Sequence, residues 1–133
     1  MQLDLSKTET WTVLVVDDEP DNLELISDVL QYYGAQVAIT NTGIGALTLL
    51  PALTPNMIIL DLGMPKMNGW QLREFIREIP EHSSTPILAL SAHAMVGDRE
   101  RVLAAGFDGY LSKPINVSTI IEDIRGALDI REE

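Results

Sequence analysis

The chain has 133 residues, 46% hydrophobic and 22% charged, which fits one soluble globular domain that buries a core without staples. With 0 cysteines, disulfides and thiolate metal sites are excluded. Against 20 Asp+Glu there are 9 Lys+Arg, a net charge of -11 that repels nucleic-acid backbones and anionic membranes and suits a cation or a basic partner. Apolar runs such as Met57 to Leu60 fall far short of the ~20 residues that span a bilayer. The opening MQLDLSKTETW has no signal-peptide core, so a cytoplasmic location is expected, with no membrane and no nucleic acid among the partners.

In chain order, the first ten residues read as a frayed end. TVLVV at 12–16 is a first strand. Pro20 suits a first helical turn, and Leu23, Ile26, Val29 and Leu30 form an apolar stripe behind it. QVAI at 36–39 is a second strand, and the next helix starts near Asn41 and Thr42 and carries Ile44, Leu47, Thr48 and Leu50. MIIL at 57–60 is the third strand; Leu72, Phe75, Ile76 and Ile79 then form a stripe that Pro80 ends. ILAL at 87–90 is the fourth strand, and residues 98–105 form a helix with Gly106 as its stop. GYL at 109–111 is the fifth strand, followed by Val117, Ile120, Ile121, Ile124 and Leu128, the clearest amphipathic repeat. Arg131, Glu132 and Glu133 read as a second frayed end, leaving a core of about residues 11–129.

Runs this short and apolar suit parallel strands buried on both faces. Five strands alternating with five helices predict an α/β sandwich, with right-handed crossovers placing helices on both faces. In such open sheets the functional crevice lies at the carboxyl ends of the strands. Asp17, Asp18 and Glu19 follow the first strand, Asp61 the third, Ser91 the fourth and Lys113-Pro114 the fifth. Singly, each is a plausible turn or cap residue; together they bring carboxylates, a hydroxyl and an ammonium to one rim. Clustered carboxylates repel unless a cation or protons intervene, and oxygen-only ligands favour a hard ion such as Mg²⁺ or Mn²⁺. A carboxylate held there can attack a phosphoryl group, with Lys113 and Ser91 neutralising or hydrogen-bonding its oxygens.

The chain resembles the receiver domain of two-component response regulators over nearly its whole length. The resemblance rests on VLVVDDEP, MIILDLGMPKMNGW, LALSAHA and GYLSKPI, with Asp17, Asp61, Ser91 and Lys113 spaced 44, 30 and 22 positions apart in turn. It implies one flavodoxin-like (βα)5 domain spanning residues 1–133, a three-layer sandwich with strand order 2-1-3-4-5. It further implies that Asp61 is the phosphoacceptor, that Asp18, Asp61 and the Gly63 carbonyl bind Mg²⁺ with Asp17 acting through water, and that Lys113 and Ser91 contact the phosphoryl group. Tyr110 would be the aromatic switch and the Lys113–Pro114 bond cis. The implied activity is self-catalysed phosphorylation and dephosphorylation rather than turnover of a substrate. Expected partners are a sensor histidine kinase or phosphotransfer protein and an unnamed effector, with the chain a monomer or a phosphorylation-dependent dimer.

Three positions depart from the common pattern: Ser91 where Thr is frequent, Gly63 without a side chain beside Asp61, and His93 two residues after Ser91. His82 is assigned nothing. A flavin site is disfavoured because DDEPDN would repel phosphate, and a dehalogenase-type phosphatase because Gly63 stands where a second Asp is needed. A degenerate binding module is disfavoured by the retained Asp17, Asp18, Asp61, Ser91 and Lys113. With five strands ending by about Leu128, a stand-alone regulator is expected, and a receiver excised from a hybrid kinase is the alternative.

Overall fold

Pro20 fixes a helical φ where β1 (Thr12–Val16) has just delivered Asp17 and Asp18, and α1 (Pro20–Tyr32) starts there. The computed structural model describes residues 3–92 and 97–132. The chain continues as β2 (Gln36–Thr40), α2 (Gly43–Leu53), β3 (Met57–Asp61), α3 (Gly69–Arg77), β4 (Ile87–Ser91), α4 (Asp98–Ala104), β5 (Gly109–Ser112) and α5 (Ile120–Glu132). The strands form one parallel sheet in the order β2-β1-β3-β4-β5. This is the expected flavodoxin-like (βα)5 arrangement. Alternate strand residues feed two separate cores: Val13, Val15, Met57 and Ile59 pack beneath α1 and α5, while Leu14, Val16, Ile58 and Leu60 pack beneath α2, α3 and α4. Among the described residues no helix is long and apolar enough to cross a membrane.

β3 and β4 are buried throughout, but β2 is not, because it has a partner on one side only. Its Ile39 is 45% exposed, so burial on both faces holds for the central strands and fails at this edge. In α2 the buried positions are Gly43, Ala46 and Leu50, while Ile44 and Thr48 face outward. The segment GIGALTLLPAL is apolar all round, so spacing alone cannot set which side faces the sheet. Likewise Leu72 and Ile76 are buried in α3 and Phe75 is exposed. Val117 precedes α5 rather than joining its stripe: Asn116 takes the Ser118 and Thr119 amides, so a turn delays the helix to Ile120.

From Leu3 onward the N-terminal segment is docked rather than frayed, and Met1 and Gln2 lie outside the described residues. Trp11 is fully buried, and its Nε1 donates to the Asp4 carbonyl at 2.9 Å, which satisfies both halves of an amphipathic ring. Leu3 and Leu5 pack on the α1/α5 core, and Arg125 Nε donates to the Leu5 carbonyl at 2.9 Å. At the other end α5 continues through Arg131 to Glu132, where fraying was expected, and Glu133 lies outside the described residues.

Two glycines let helices close against their neighbours, the first of them at the rim. Gly69 opens α3 so close to β3 that a Cβ there would stand 2.5 Å from the Asp61 carbonyl oxygen; only glycine lets the helix close onto the strand end. Gly106, at φ +100, ends α4 as expected, and its bare backbone lies against the Arg73 guanidinium, which also stacks over Phe107 at 5.8 Å.

Candidate functional site

β1, β3, β4 and β5 end at one rim. Asp17 and Asp61 lie on its floor, with 0% and 4% of their surface exposed. Lys113, which follows β5, reaches over them: its Nζ is 3.3 Å from Asp17 Oδ2, 3.3 Å from Asp61 Oδ2 and 3.4 Å from Glu19 Oε1. The Lys113 amide donates to the Ser91 carbonyl at 2.8 Å, which ties the lysine's main chain to the end of β4. The peptide bond from Lys113 to Pro114 is cis, as expected.

Backbone and side-chain amides hold the floor carboxylates in place. Glu19 N donates to Asp17 Oδ1 at 2.9 Å, and Asn22 Nδ2 donates to Asp17 Oδ2 at 3.3 Å. Gly63 N donates to Asp61 Oδ1 at 3.0 Å, and Gly63 itself is exposed. Burial first, and then repulsion from Asp61, push the Asp17 carboxyl from 3.8 up to about 6, against the Glu19 amide and Lys113, which pull it down. Burial alone would lower the Lys113 ammonium; the carboxylates of Asp17 and Asp61 outweigh it and hold the ammonium above its ordinary value. One ammonium therefore faces more negative charge than it offsets.

Asp17, Asp18 and Glu19 present carboxylate oxygens within 4.8 Å of one another, with Asp18 and Glu19 exposed. The set is oxygen-only and acidic, which is the donor chemistry of Mg²⁺.

The sequence-predicted residues are thus distributed around one rim. Asp17, Asp61 and Lys113 are in direct contact, and Asp18 lies beside them in the acidic turn. Gly63 contacts Asp61 through its amide. Ser91, buried, is the last residue of β4. Tyr110 is half-buried on β5, opposite Ala89 in register, and packs at the margin of the α2/α3/α4 core. His93 lies outside the described residues. His82, assigned nothing from sequence, is buried in the turn between α3 and β4 and bonds Thr85 Oγ1 at 2.9 Å; burial lowers its pKa.

Sequence reading gave no role to Glu19 or Asn22. The available signal for Glu19 was its place in an unbroken acidic run at a strand end, where Ser, Thr, Asp or Asn would make a better helix cap.

Residues 13–125 match the family model described as the response regulator receiver domain. The chain is 33% identical to the polar-differentiation response regulator DivK of Brucella ovis over 119 residues, covering 90% of this chain and 97% of DivK. It is 38% identical over 104 residues to the signal transduction histidine-protein kinase BarA of Escherichia coli, a match that spans 78% of this chain but 11% of the kinase. In structure it is similar to the chemotaxis response regulator CheY4 of Vibrio cholerae, with a TM-score of 0.80, 30% identity and coverage of 87% of this chain and 97% of that one. Family match, shared topology and an acidic rim crossed by one lysine agree: this chain belongs to the response regulator receiver domains of two-component phosphorelay signalling.

Proposed function

We propose that the chain is a phosphorylation-dependent signalling protein, a single receiver domain working in the cytoplasm, in which Asp61 accepts a phosphoryl group from the phosphohistidine of a sensor histidine kinase or phosphotransfer protein. The observation that carries this reading is the Lys113 ammonium at 3.3 Å from both Asp17 and Asp61 on a buried acidic floor. An Asp61 carboxylate oxygen attacks phosphorus, the P–N bond breaks with its electron pair left on the imidazole, and an acyl phosphate forms. An ionised carboxylate needs no general base. Asp17, Asp18 and Asp61, with Gly63, would hold Mg²⁺, which when bound supplies charge against the carboxylates and the incoming dianion. Lys113 then pairs with phosphoryl oxygens, and Ser91 donates its hydroxyl to one.

Ser91 and Tyr110 carry the signal outward. Both belong to adjacent strands, and Tyr110 borders a groove of about 370 Å³ lined with Arg99, Ile115, Glu122, Asp123 and Gly126, between α4, β5 and α5. Effector binding is assigned to this face, with the chain a monomer or a phosphorylation-dependent dimer. The likeness to a short stretch of BarA favours a second reading, a receiver relaying the group within a hybrid-kinase phosphorelay.

Incubation with Mg²⁺ and acetyl phosphate, followed by intact mass measurement, tests the proposal. Wild type should gain one phosphoryl mass; chelation of Mg²⁺ or Asp61→Asn should abolish the gain. Equal gain in Asp61→Asn would overturn it.

A further inference from the structure

An ammonium carries three N–H donors and no acceptor. Among the described residues, Lys113 Nζ meets three carboxylates at nearly equal range: Asp17 and Asp61 at 3.3 Å and Glu19 at 3.4 Å. The three differ in what they can do. The side chains of Asp17 and Asp61 are 0% and 5% exposed, so withdrawing either would leave buried charge uncompensated. The Glu19 side chain is 62% exposed and can exchange its ion pair for water at little cost.

Glu19 does not cap the helix that it precedes. It stands at the N-cap of α1, yet its side chain makes no capping hydrogen bond. Its amide donates to Asp17 Oδ1, so the main chain is pinned while the carboxylate can swing. Of the three carboxylates on the ammonium, that of Glu19 is the one open to solvent.

We infer that Glu19 is a releasable counter-ion of Lys113: its carboxylate engages one ammonium N–H in the unmodified protein and yields that donor to a phosphoryl oxygen when Asp61 is modified. This rests on the proposed phosphorylation of Asp61 and makes Glu19 a positioning residue that acts through Lys113. An internal anion on the same donor competes with the incoming phosphoryl group, so Glu19 slows phosphorylation. The competition is electrostatic and exposed, and salt therefore weakens it.

The test is the initial rate of phosphorylation by acetyl phosphate with saturating Mg²⁺, read by intact mass. An Asp61 oxygen attacks phosphorus, the bond from phosphorus to the bridging oxygen breaks, and acetate leaves with the electron pair. Glu19→Gln should be about twofold to fivefold faster than wild type at low salt, the range an exposed ion pair supports. That ratio should shrink toward one as salt is raised. Glu24→Gln, which removes the same charge from an exposed site on α1, should leave the rate unchanged. Glu19→Asp keeps the charge but shortens its reach to Lys113, and should fall between wild type and Glu19→Gln. Equal rates for wild type and Glu19→Gln, with both modified on Asp61, would overturn the role of Glu19 and leave the phosphoacceptor reading standing. So would equal acceleration by Glu24→Gln, which would reduce the effect to net charge. Absence of modification in every form would overturn the underlying reading and this inference with it.

Discussion

Asp17 has no exposed surface, and its carboxyl is raised to about 6 by burial first and then by Asp61. Between about pH 4 and 6 the folded chain thus binds more protons at this position than the unfolded chain, so ionised Asp17 costs stability at neutral pH and the cost fades as pH falls. Without Mg²⁺, Asp17→Asn should stabilise the protein by about 1–3 kcal/mol at pH 7.5. The difference from wild type should vanish below about pH 4 in urea titrations. Comparing the two forms cancels His82, whose lowered pKa acts in the opposite sense in both. A destabilised Asp17→Asn at pH 7.5 would contradict this electrostatic picture. Lys113 supplies the converse test. Its removal deepens the negative potential, so Lys113→Ala should bind Mg²⁺ as well as wild type or up to about tenfold more tightly in a calorimetric titration. Weaker binding would speak against it. At this scale much was legible: Asp17, Asp61 and Lys113 follow from strand ends alone. Glu19 was not, because its part depends on a 3.4 Å approach between residues 94 positions apart.

Elements are held in register at the end of the sheet opposite the rim by Arg77. Its Nη1 donates to the carbonyls of His82 and Thr85 at 2.9 and 2.7 Å, and its Nη2 meets Asp108 Oδ2 at 2.8 Å. Asp108 Oδ2 also accepts from the Ile87 amide at 2.8 Å, so one cluster joins the end of α3 to the starts of β4 and β5. The Arg77 and Asp108 side chains are 16% and 17% exposed, so neither charge is readily rehydrated. Arg77→Met should therefore cost about 2–4 kcal/mol, read as a lower urea midpoint with unchanged slope. A loss within 0.5 kcal/mol would show the cluster to be idle. Strand identity and order of elements were legible because short apolar runs between turn residues have few alternatives. Helix phase was legible only where polarity contrasts: α1 buries Leu23, Ile26 and Leu30 as its stripe predicts, whereas uniformly apolar α2 turned Ile44 outward. The delayed start of α5 came from Asn116 capping a turn, a local competition that hydrophobic spacing does not register.

For the molecule as a whole, the rim and the α4–β5–α5 groove are joined through β4 and β5, which carry Ser91 and Tyr110 in adjacent strands. In the proposed switch, a phosphoryl group that draws on the Ser91 hydroxyl would alter packing beside Ala89, where Tyr110 lies in register, and a shift of a few kcal/mol between two ring positions would suffice to redistribute them. Backbone chemical shifts recorded with and without acetyl phosphate should change mainly across α4, β5 and α5. Changes confined to α1 would place the output face elsewhere. The docked N-terminal segment was illegible because Trp11 and Leu5 find partners only in the assembled α1/α5 core. The rim, by contrast, is legible in the sequence, since parallel topology alone brings the strand ends together.

Borohydride trapping bears most directly on phosphoacceptance at Asp61. Wild type treated with acetyl phosphate and Mg²⁺ is reduced, which converts an aspartyl phosphate to homoserine, and is then digested and mapped by mass. The modification should appear at position 61 alone and be lost when Mg²⁺ is chelated. Homoserine at Asp17 or Asp18, or none anywhere in protein that has gained phosphoryl mass, would contradict the assignment of Asp61 as the acceptor.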